Sequence, residues 1–282
     1  MTRLGVIGDI AEDITVYAAT PVAHASDTHC RIVRHRGGSA ANVAVAAAPL
    51  VPTHFIGCIG DDPAGDMLAA GLIGVEARLQ RTSAAPSGTI VVLVDATGER
   101  DMFPSRGANS HLGPLDPSWL DGLTALHATA YSLIGPGQTA AVVQDALRTV
   151  HARGRLTSLD VSSRGLIEHF GTGRFLSLVD DLAPDVVFAN ADEAALLSWD
   201  VDEPAPRLVF VKHGADPVLV RSPSGCWRIP VAPRVDAHDT TGAGDAFAAG
   251  VLAHLLNDAA AAPETLVQAG HTSALAWLRS RA

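Results

Sequence analysis

The sequence predicts an α/β fold, a mostly parallel sheet covered by helices on both faces and joined to a small β-sheet lid. Three observations lead there. Short apolar strand candidates alternate with helix candidates along most of the chain, which is the pattern of βα units. Two β-rich stretches, 14–36 and 86–106, interrupt that rhythm. A glycine-rich turn opens a long apolar helix near Gly242.

Leu4–Gly8 (LGVIG) is a short apolar run ending in glycine and reads as a buried strand. Ser39–Leu50 reads as a helix opened by Gly38, Thr53–Ile59 as a strand and Asp66–Leu72 as a helix. Thr89–Val94 and Arg100–Pro104 flank a glycine-containing turn and read as a hairpin. Further strands are expected near Leu126–Leu133, Leu156–Val161, Asp185–Ala189 and Leu208–Val211. Helices are expected at Thr139–Ala152, at Gly242–Leu256 and in a last segment ending near Leu278. The division this implies is a core of residues 1–13, 37–85 and 107–282 with a discontinuous lid of 14–36 and 86–106. A lid over a site is the natural use of such an insertion; two ordinary edge hairpins are the plainer reading.

Composition narrows the function. In 282 residues, 48% are hydrophobic, enough for a sizeable core, and the net charge is −10. That acidic balance argues against nucleic acid or an anionic membrane as partner. Anionic small ligands stay open, because local amides and a few cations bind phosphate whatever the total charge. Cys30, Cys58 and Cys226 are too few and too scattered for a disulfide framework or structural zinc. No run reaches membrane-spanning length, so a soluble, cytoplasmic protein is expected.

The most informative stretch is Asp239-Thr240-Thr241-Gly242-Ala243-Gly244-Asp245. Its small residues let backbone approach a ligand closely. A glycine-rich turn opening a helix aims free N–H groups and the positive end of the dipole at one spot, which suits a phosphoryl group. A carboxylate at that mouth, Asp245, is expected to stay ionised near neutral pH and to accept the proton of an attacking hydroxyl. A simple helix cap is the alternative. The string is not a P-loop, because it lacks the lysine and hydroxyl residue of GxxxxGK[ST].

DTTGAGDAFAAG resembles the C-terminal signature of the ribokinase-like (PfkB) family of carbohydrate kinases, and Gly37-Gly38-Ser39-Ala40-Ala41-Asn42 resembles that family's N-terminal GG-x-x-x-N motif. The resemblance implies a ribokinase-like three-layer α/β/α fold and ATP with Mg2+ as cofactors. It implies Asp245 as catalytic base and the Gly242, Ala243 and Gly244 amides as the anion hole. It also admits a monovalent cation such as K+ near Asp239. A homodimer joined lid to lid is admitted as well.

At the substrate end, Asp13 lies five residues past Gly8, where the family places a sugar-binding aspartate. Asp9 is a second candidate on the same loop. Gly37 and Gly38 would let a sugar lie against bare backbone. Asn42 offers a donor and an acceptor to vicinal hydroxyls. Arg100 and Arg106 are placed either to reach an anionic or hydroxylated substrate or to stay solvated. At the nucleotide end, Asn190-Ala191-Asp192-Glu193 resembles an N-x-x-E motif that organises magnesium through water, and it equally reads as a helix capping box. Lys212 and Gly214 stand in a variant of the T-x-G-x-x-G segment that contacts ATP phosphates, with Pro217 in place of the last glycine. His271 falls near the position bordering adenine in relatives. Only nine residues separate Leu197 from Arg207, where relatives fit a helix, so a partner subunit or an exposed patch is expected there.

The function these residues imply is ATP-dependent phosphorylation of a sugar hydroxyl, of ribose, fructose or keto-deoxy sugar type. A nucleoside kinase of the same fold is the first alternative, although 5% aromatics offers little floor for a base. A catalytically silent sugar or nucleotide sensor is the second. A dinucleotide oxidoreductase is disfavoured because GVIGDI lacks GxGxxG.

Overall fold

A computed structural model of the chain describes residues 2–95, 97, 99–231 and 240–281. Asp239, the candidate cation neighbour, lies outside them. The strands are β1 (Leu4–Ile7), β2 (Ala11–Ala18), β3 (Cys30–Gly37), β4 (Thr53–Gly60), β5 (Glu76–Thr82), β6 (Gly88–Val94), β7 (Arg100–Ser105), β8 (Ala125–Thr129), β9 (Leu156–Asp160), β10 (Val186–Asn190), β11 (Leu208–His213), β12 (Asp216–Ser222) and β13 (Gly225–Ile229). The helices are α1 (Ser39–Ala47), α2 (Pro63–Ala70), α3 (Ala130–Leu133), α4 (Thr139–Ala152), α5 (Arg164–Phe170), α6 (Thr172–Leu182), α7 (Ala191–Leu196), α8 (Ala243–Asn257) and α9 (Pro263–Arg281).

Nine strands form the main sheet in the order β13-β12-β11-β10-β9-β8-β1-β4-β5. Every pairing from β11 to β5 is parallel, and only β12 runs against the rest, pairing antiparallel with β11 and β13. The strands are apolar on both faces because helices cover both. On β10, Val186 and Phe188 pack toward α8 and α9, while Val187 and Ala189 pack toward α4 and α6. That is the strict alternation of a pleated strand buried between two layers. Phe188 stacks on Phe210 and meets Phe247 of α8 edge-on, tying the sheet to the helix that carries Asp245.

A second sheet has the order β3-β2-β6-β7. Its strand β2 starts only four residues after β1 ends, and β2 pairs with β3 from Ala11 opposite Gly37 onward. One side of this sheet shows Ile32 and Phe103 to solvent, and Met102 is exposed on the other.

Several elements differ from the sequence expectation. The strand expected to reach Leu133 ends at Thr129, where the chain turns into α3. The helix expected at Asp66–Leu72 starts earlier, at Pro63, because the Asp62 carboxylate accepts the Gly65 amide and caps it there. The strands β5, β12 and β13 and the helices α5 and α6 lie outside the elements expected from the sequence. The 198–206 connection holds no helix, as expected, but no broad apolar patch follows. Leu197 and Ala205 are buried, and the Arg221 guanidinium donates to the carbonyls of Trp199, Glu203 and Pro204, which pins the loop down. Val201 is the large apolar side chain it leaves exposed.

Candidate active site

In an open parallel sheet, ligands gather at the carboxyl ends of the strands where the strand order reverses. Here β1 is that point, flanked by β4 and β8. The strand ends deliver Asp9 after β1, Tyr131 after β8, Asp160 at the end of β9, Asn190 at the end of β10 and Lys212 on β11. All five line one cleft of about 570 Å³, roofed by Ile90, Met102 and Pro104 of the second sheet. A larger groove of about 1040 Å³ runs between α1, α8 and α9. It is lined by small aliphatic and neutral polar side chains with His254 and the single carboxylate of Glu264, whereas the smaller cleft gathers the carboxylates and cations of the strand ends.

Gly242 caps α8 with a left-handed backbone, φ 81° and ψ −1°. A side chain there would meet the Trp277 indole nitrogen at 2.7 Å. That nitrogen donates to Thr241 O at 2.9 Å, so α9 braces the turn. The Ala243 amide donates to Thr240 O and is consumed by the turn itself. The helical ladder starts with the Ala246 amide on Gly242 O, which leaves the Gly244 and Asp245 amides outside it. Of the three amides expected to form an anion hole, that of Ala243 is occupied within the turn, while that of Gly244, with the Asp245 amide, lies at the mouth of the helix.

Asp245 is held at both oxygens. Ser39 Oγ donates to Oδ1 at 2.7 Å and Asn42 Nδ2 donates to Oδ2 at 2.9 Å. The Asn42 carbonyl in turn accepts from Arg36 at 3.0 Å. Burial drives the Asp245 carboxyl up to about 7, and the negative charge of Asp160 adds to it. The hydrogen bonds from Ser39 and Asn42 and the Lys212 charge only partly offset the rise. The expectation of a fully ionised group is thus corrected. A carboxyl raised to about 7 falls in the range where a general base works best at neutral pH.

The glycine pair is packed closely by protein: a Cβ on Gly37 would lie 2.2 Å from the Asp13 carboxyl, and one on Gly38 would lie 2.7 Å from Asp9 O. Gly38 also lines the cleft, whereas Gly37 stands behind the Asp13 carboxyl. Asp9 is likewise committed: its carboxylate accepts from the Ser39 and Ala40 amides and from Thr129 Oγ1, fixing the start of α1. Asp13 lines the cleft, with His35 Nε2 at 3.8 Å from its Oδ2.

On the other side, Asn190 and Glu193 form a complete capping box. Asn190 Oδ1 accepts the Glu193 amide, and Glu193 Oε2 accepts the Asn190 amide. Burial raises the Glu193 carboxyl to about 7, with Asp160 repelling its charge. Lys212 Nζ donates to Asp160 Oδ2 at 2.9 Å and lies about where a Gly244 side chain would be touched, 3.1 Å from that Cβ position. Burial works against the ammonium, but Asp160, Glu193 and Asp245 outweigh it and hold Lys212 above its ordinary range. Gly214 turns with φ 66° at the rim of the cleft. His271 does not line the cleft; it belongs to α9 beside Gly270, which packs on Phe247. Arg100 donates to Thr241 Oγ1 at 3.0 Å, linking the second sheet to the glycine turn. Arg106 lines the cleft itself.

Sequence reasoning missed Ser39, Arg36, Thr129 and Asp160. Ser39 stands inside the quoted GG-x-x-x-N string, and Asp160 closes an apolar strand candidate just as Asp9 follows one. The same strand-end logic applied evenly would have found it.

The pfkB family carbohydrate kinase model matches residues 1–281. The ATP-dependent ribose-1-phosphate kinase of Halopiger xanaduensis is 36% identical over 79% of this chain and 74% of its own length. The aminoimidazole riboside kinase of Salmonella typhimurium is 30% identical over 89% and 80%. A crystal structure of fructokinase with bound ATP from Xylella fastidiosa superposes with a TM-score of 0.79 at 25% identity, covering 96% of this chain and 89% of that one. Both the glycine pair before α1 and the turn opening α8 fall within these matches, so the chain belongs to the pfkB family of carbohydrate kinases and is a phosphotransferase acting on hydroxyl groups.

Proposed function

We propose that the protein transfers the γ-phosphoryl group of ATP to a hydroxyl of a sugar or sugar-bearing acceptor, with Asp245 as the base. The observation that carries this is the placement of one carboxyl, tuned to about 7 and gripped by Ser39 and Asn42, beside free amides at the mouth of α8. The acceptor hydroxyl gives its proton to Asp245 as its oxygen attacks phosphorus in line. The bond to the β-phosphate oxygen breaks and ADP leaves. The Gly244 and Asp245 amides and Lys212 offset charge on the equatorial oxygens. Asp13 orients the acceptor from β2, and Asn42 takes part by holding the base.

The oxygen donors of Asn190, Glu193 and Asp160 suit Mg2+, which prefers oxygen ligands and retains water. The raised Glu193 carboxyl fits such a cation, since a nearby positive charge favours its ionised form. Magnesium supplies charge neutralisation on the nucleotide phosphates when bound. A monovalent cation near Asp239 remains part of the proposal. So does a homodimer through the exposed Ile32 and Phe103. Among the described residues, no helix is long and apolar enough to cross a membrane. The three thiols are unpaired in the reduced state, which fits the reducing cytoplasm.

The relatives' names set the acceptor class: ribose 1-phosphate, an aminoimidazole riboside, fructose and adenosine. An ADP-release assay across ribose, fructose, 2-keto-3-deoxygluconate, ribose 1-phosphate and nucleosides, with magnesium and with or without potassium, tests the proposal. Acceptor-dependent ADP that disappears in Asp245→Asn supports it. Ligand-raised melting with no ADP from any acceptor would instead mark a sensor.

A further inference from the structure

We infer that Arg36 is a positioning residue for the base: it fixes which end of the Asn42 amide meets Asp245 and so favours the ionised carboxylate; this rests on the kinase reading above. Arg36 Nη1 donates to Asn42 Oδ1 at 3.0 Å, and Asn42 Nδ2 donates to Asp245 Oδ2 at 2.9 Å. A guanidinium only donates, and an ionised carboxylate only accepts. A primary amide offers an acceptor at one end and donors at the other, so both neighbours demand the same orientation of it. Asn42 is 4% exposed, which leaves its oxygen little recourse to water. Without Arg36 the amide is free to rotate and to accept from a protonated Asp245. That is a bond the neutral acid makes and the ionised one cannot, so its gain would favour the protonated form. Arg36 denies the acid that partner.

The placement of Arg36 is set by packing. It belongs to β3 of the small sheet and pairs opposite Glu12 of β2. His35 beside it turns toward Asp13 in the cleft, so Arg36 leaves the strand on the opposite face and meets Asn42 from outside the cleft lining. Its aliphatic stem runs over Gly71 at the end of α2, where a Cβ would lie 3.0 Å from Arg36 Cβ and 3.2 Å from its Cδ. Glu12, across the strand pair, is engaged by Arg34 at 3.3 Å. Asp245 is faced from the core strands by Asp160 of β9, which opposes its ionisation, and by Lys212 of β11, which favours it. Ser39 Oγ holds its other oxygen. Through one amide, the small sheet thus acts on the charge of a group that stands on the core.

The test compares the wild type with Arg36→Met, which keeps the stem and loses the donors, with Arg36→Lys, and with Asn42→Ala alone and combined with Arg36→Met. Acceptor-dependent ADP release is followed over pH 5 to 9. The Asp245 carboxyl is titrated by NMR on protein labelled at the aspartate carboxyls, its signal assigned with Asp245→Asn. Arg36→Met is expected to move the acid limb and the carboxyl titration up by about one pH unit, to lower kcat/KM at pH 7 roughly fivefold and to leave the rate at pH 9 near that of the wild type. Arg36→Lys restores most of the shift. In the Asn42→Ala background, Arg36→Met moves neither curve further, because the route runs through that amide. A loss equal at every pH overturns the inference. So does a shift of the same size in the Asn42→Ala background, which would mark the Arg36 charge as acting directly. The carboxyl titration needs no turnover. No ADP from any acceptor, or turnover that survives in Asp245→Asn, sinks the kinase reading, and the titration still decides whether Arg36 sets the charge of Asp245 through Asn42.

Discussion

Asn42 Nδ2 donates to Asp245 Oδ2 at 2.9 Å across 203 residues of sequence. The contact joins the first helix to the eighth and fixes the face that the carboxyl turns to the cleft. Asp245→Asn keeps the shape and removes the proton acceptor. It is expected to fold and bind both substrates while losing roughly 10² to 10⁴ in kcat. Single-turnover ADP formation with a separate binding titration checks this, and near-wild-type turnover would remove Asp245 from the chemistry.

The pH dependence follows from the environment of that group. With its carboxyl near 7, kcat/KM is expected to rise with pH through a single acid limb centred near that value. Because the ordinary value is 3.8, the folded state holds an extra proton between about 4 and 7. This contribution to stability is complete below the ordinary value and is lost as pH climbs toward 7. Initial rates and melting curves from pH 5 to 9 report both.

Ser39→Ala removes a hydrogen bond that favours the ionised carboxylate. The acid limb is expected to move to higher pH, and turnover at pH 7 to fall by roughly tenfold. The rate at pH 9 should come back close to that of the wild type. A loss that does not depend on pH would mean that Ser39 acts by some other route.

Lys212 and Asp160 form a largely buried ion pair at 2.9 Å. Lys212→Met leaves Asp160 without its counter-charge, which is expected to cost about 3 kcal/mol of stability and to raise the KM for ATP. The double substitution Lys212→Met with Asp160→Asn should recover much of the melting temperature but not the affinity. Thermal melts with and without nucleotide separate the two effects.

Gly242→Ala demands a left-handed backbone at an alanine and drives its Cβ toward Trp277. A cost of about 1–3 kcal/mol and a weakened grip on ATP are expected. Gly37→Ala pushes on the Asp13 carboxyl instead, so its damage should fall on the KM of the acceptor. Kinetics in which each variant harmed only the other substrate would reverse the assignment of the two ends.

Much of this was legible in the residue order. The buried strands advertise themselves because both faces are apolar, and α8 because glycines interrupt an otherwise helical run. The edge strands β5 and β13 were not legible, since half-exposed strands such as EARLQRT mix charge with apolar residues in no clean alternation. Within the site, Asp245 and Asn42 were found because they stand in dense strings of small residues. Asp160 was not, because an acid after a strand is common and only its distance to Lys212 gives it meaning. Gly37 and Gly38 were read as places of close approach, and the protein's own backbone and Asp13 approach them, while Gly38 also lines the cleft. That distinction belongs to packing, which spacing alone does not encode. The firm ionisation expected of Asp245 failed for the same reason, since burial depends on what folds around the group.

Asp13 stands on β2, a strand of the small sheet, whereas Asp245 stands on the core. On the proposed roles, the group that would aim the acceptor and the group that would activate it are thus mounted on separate elements. A shift of the small sheet against the core would then change their separation and so the geometry of transfer.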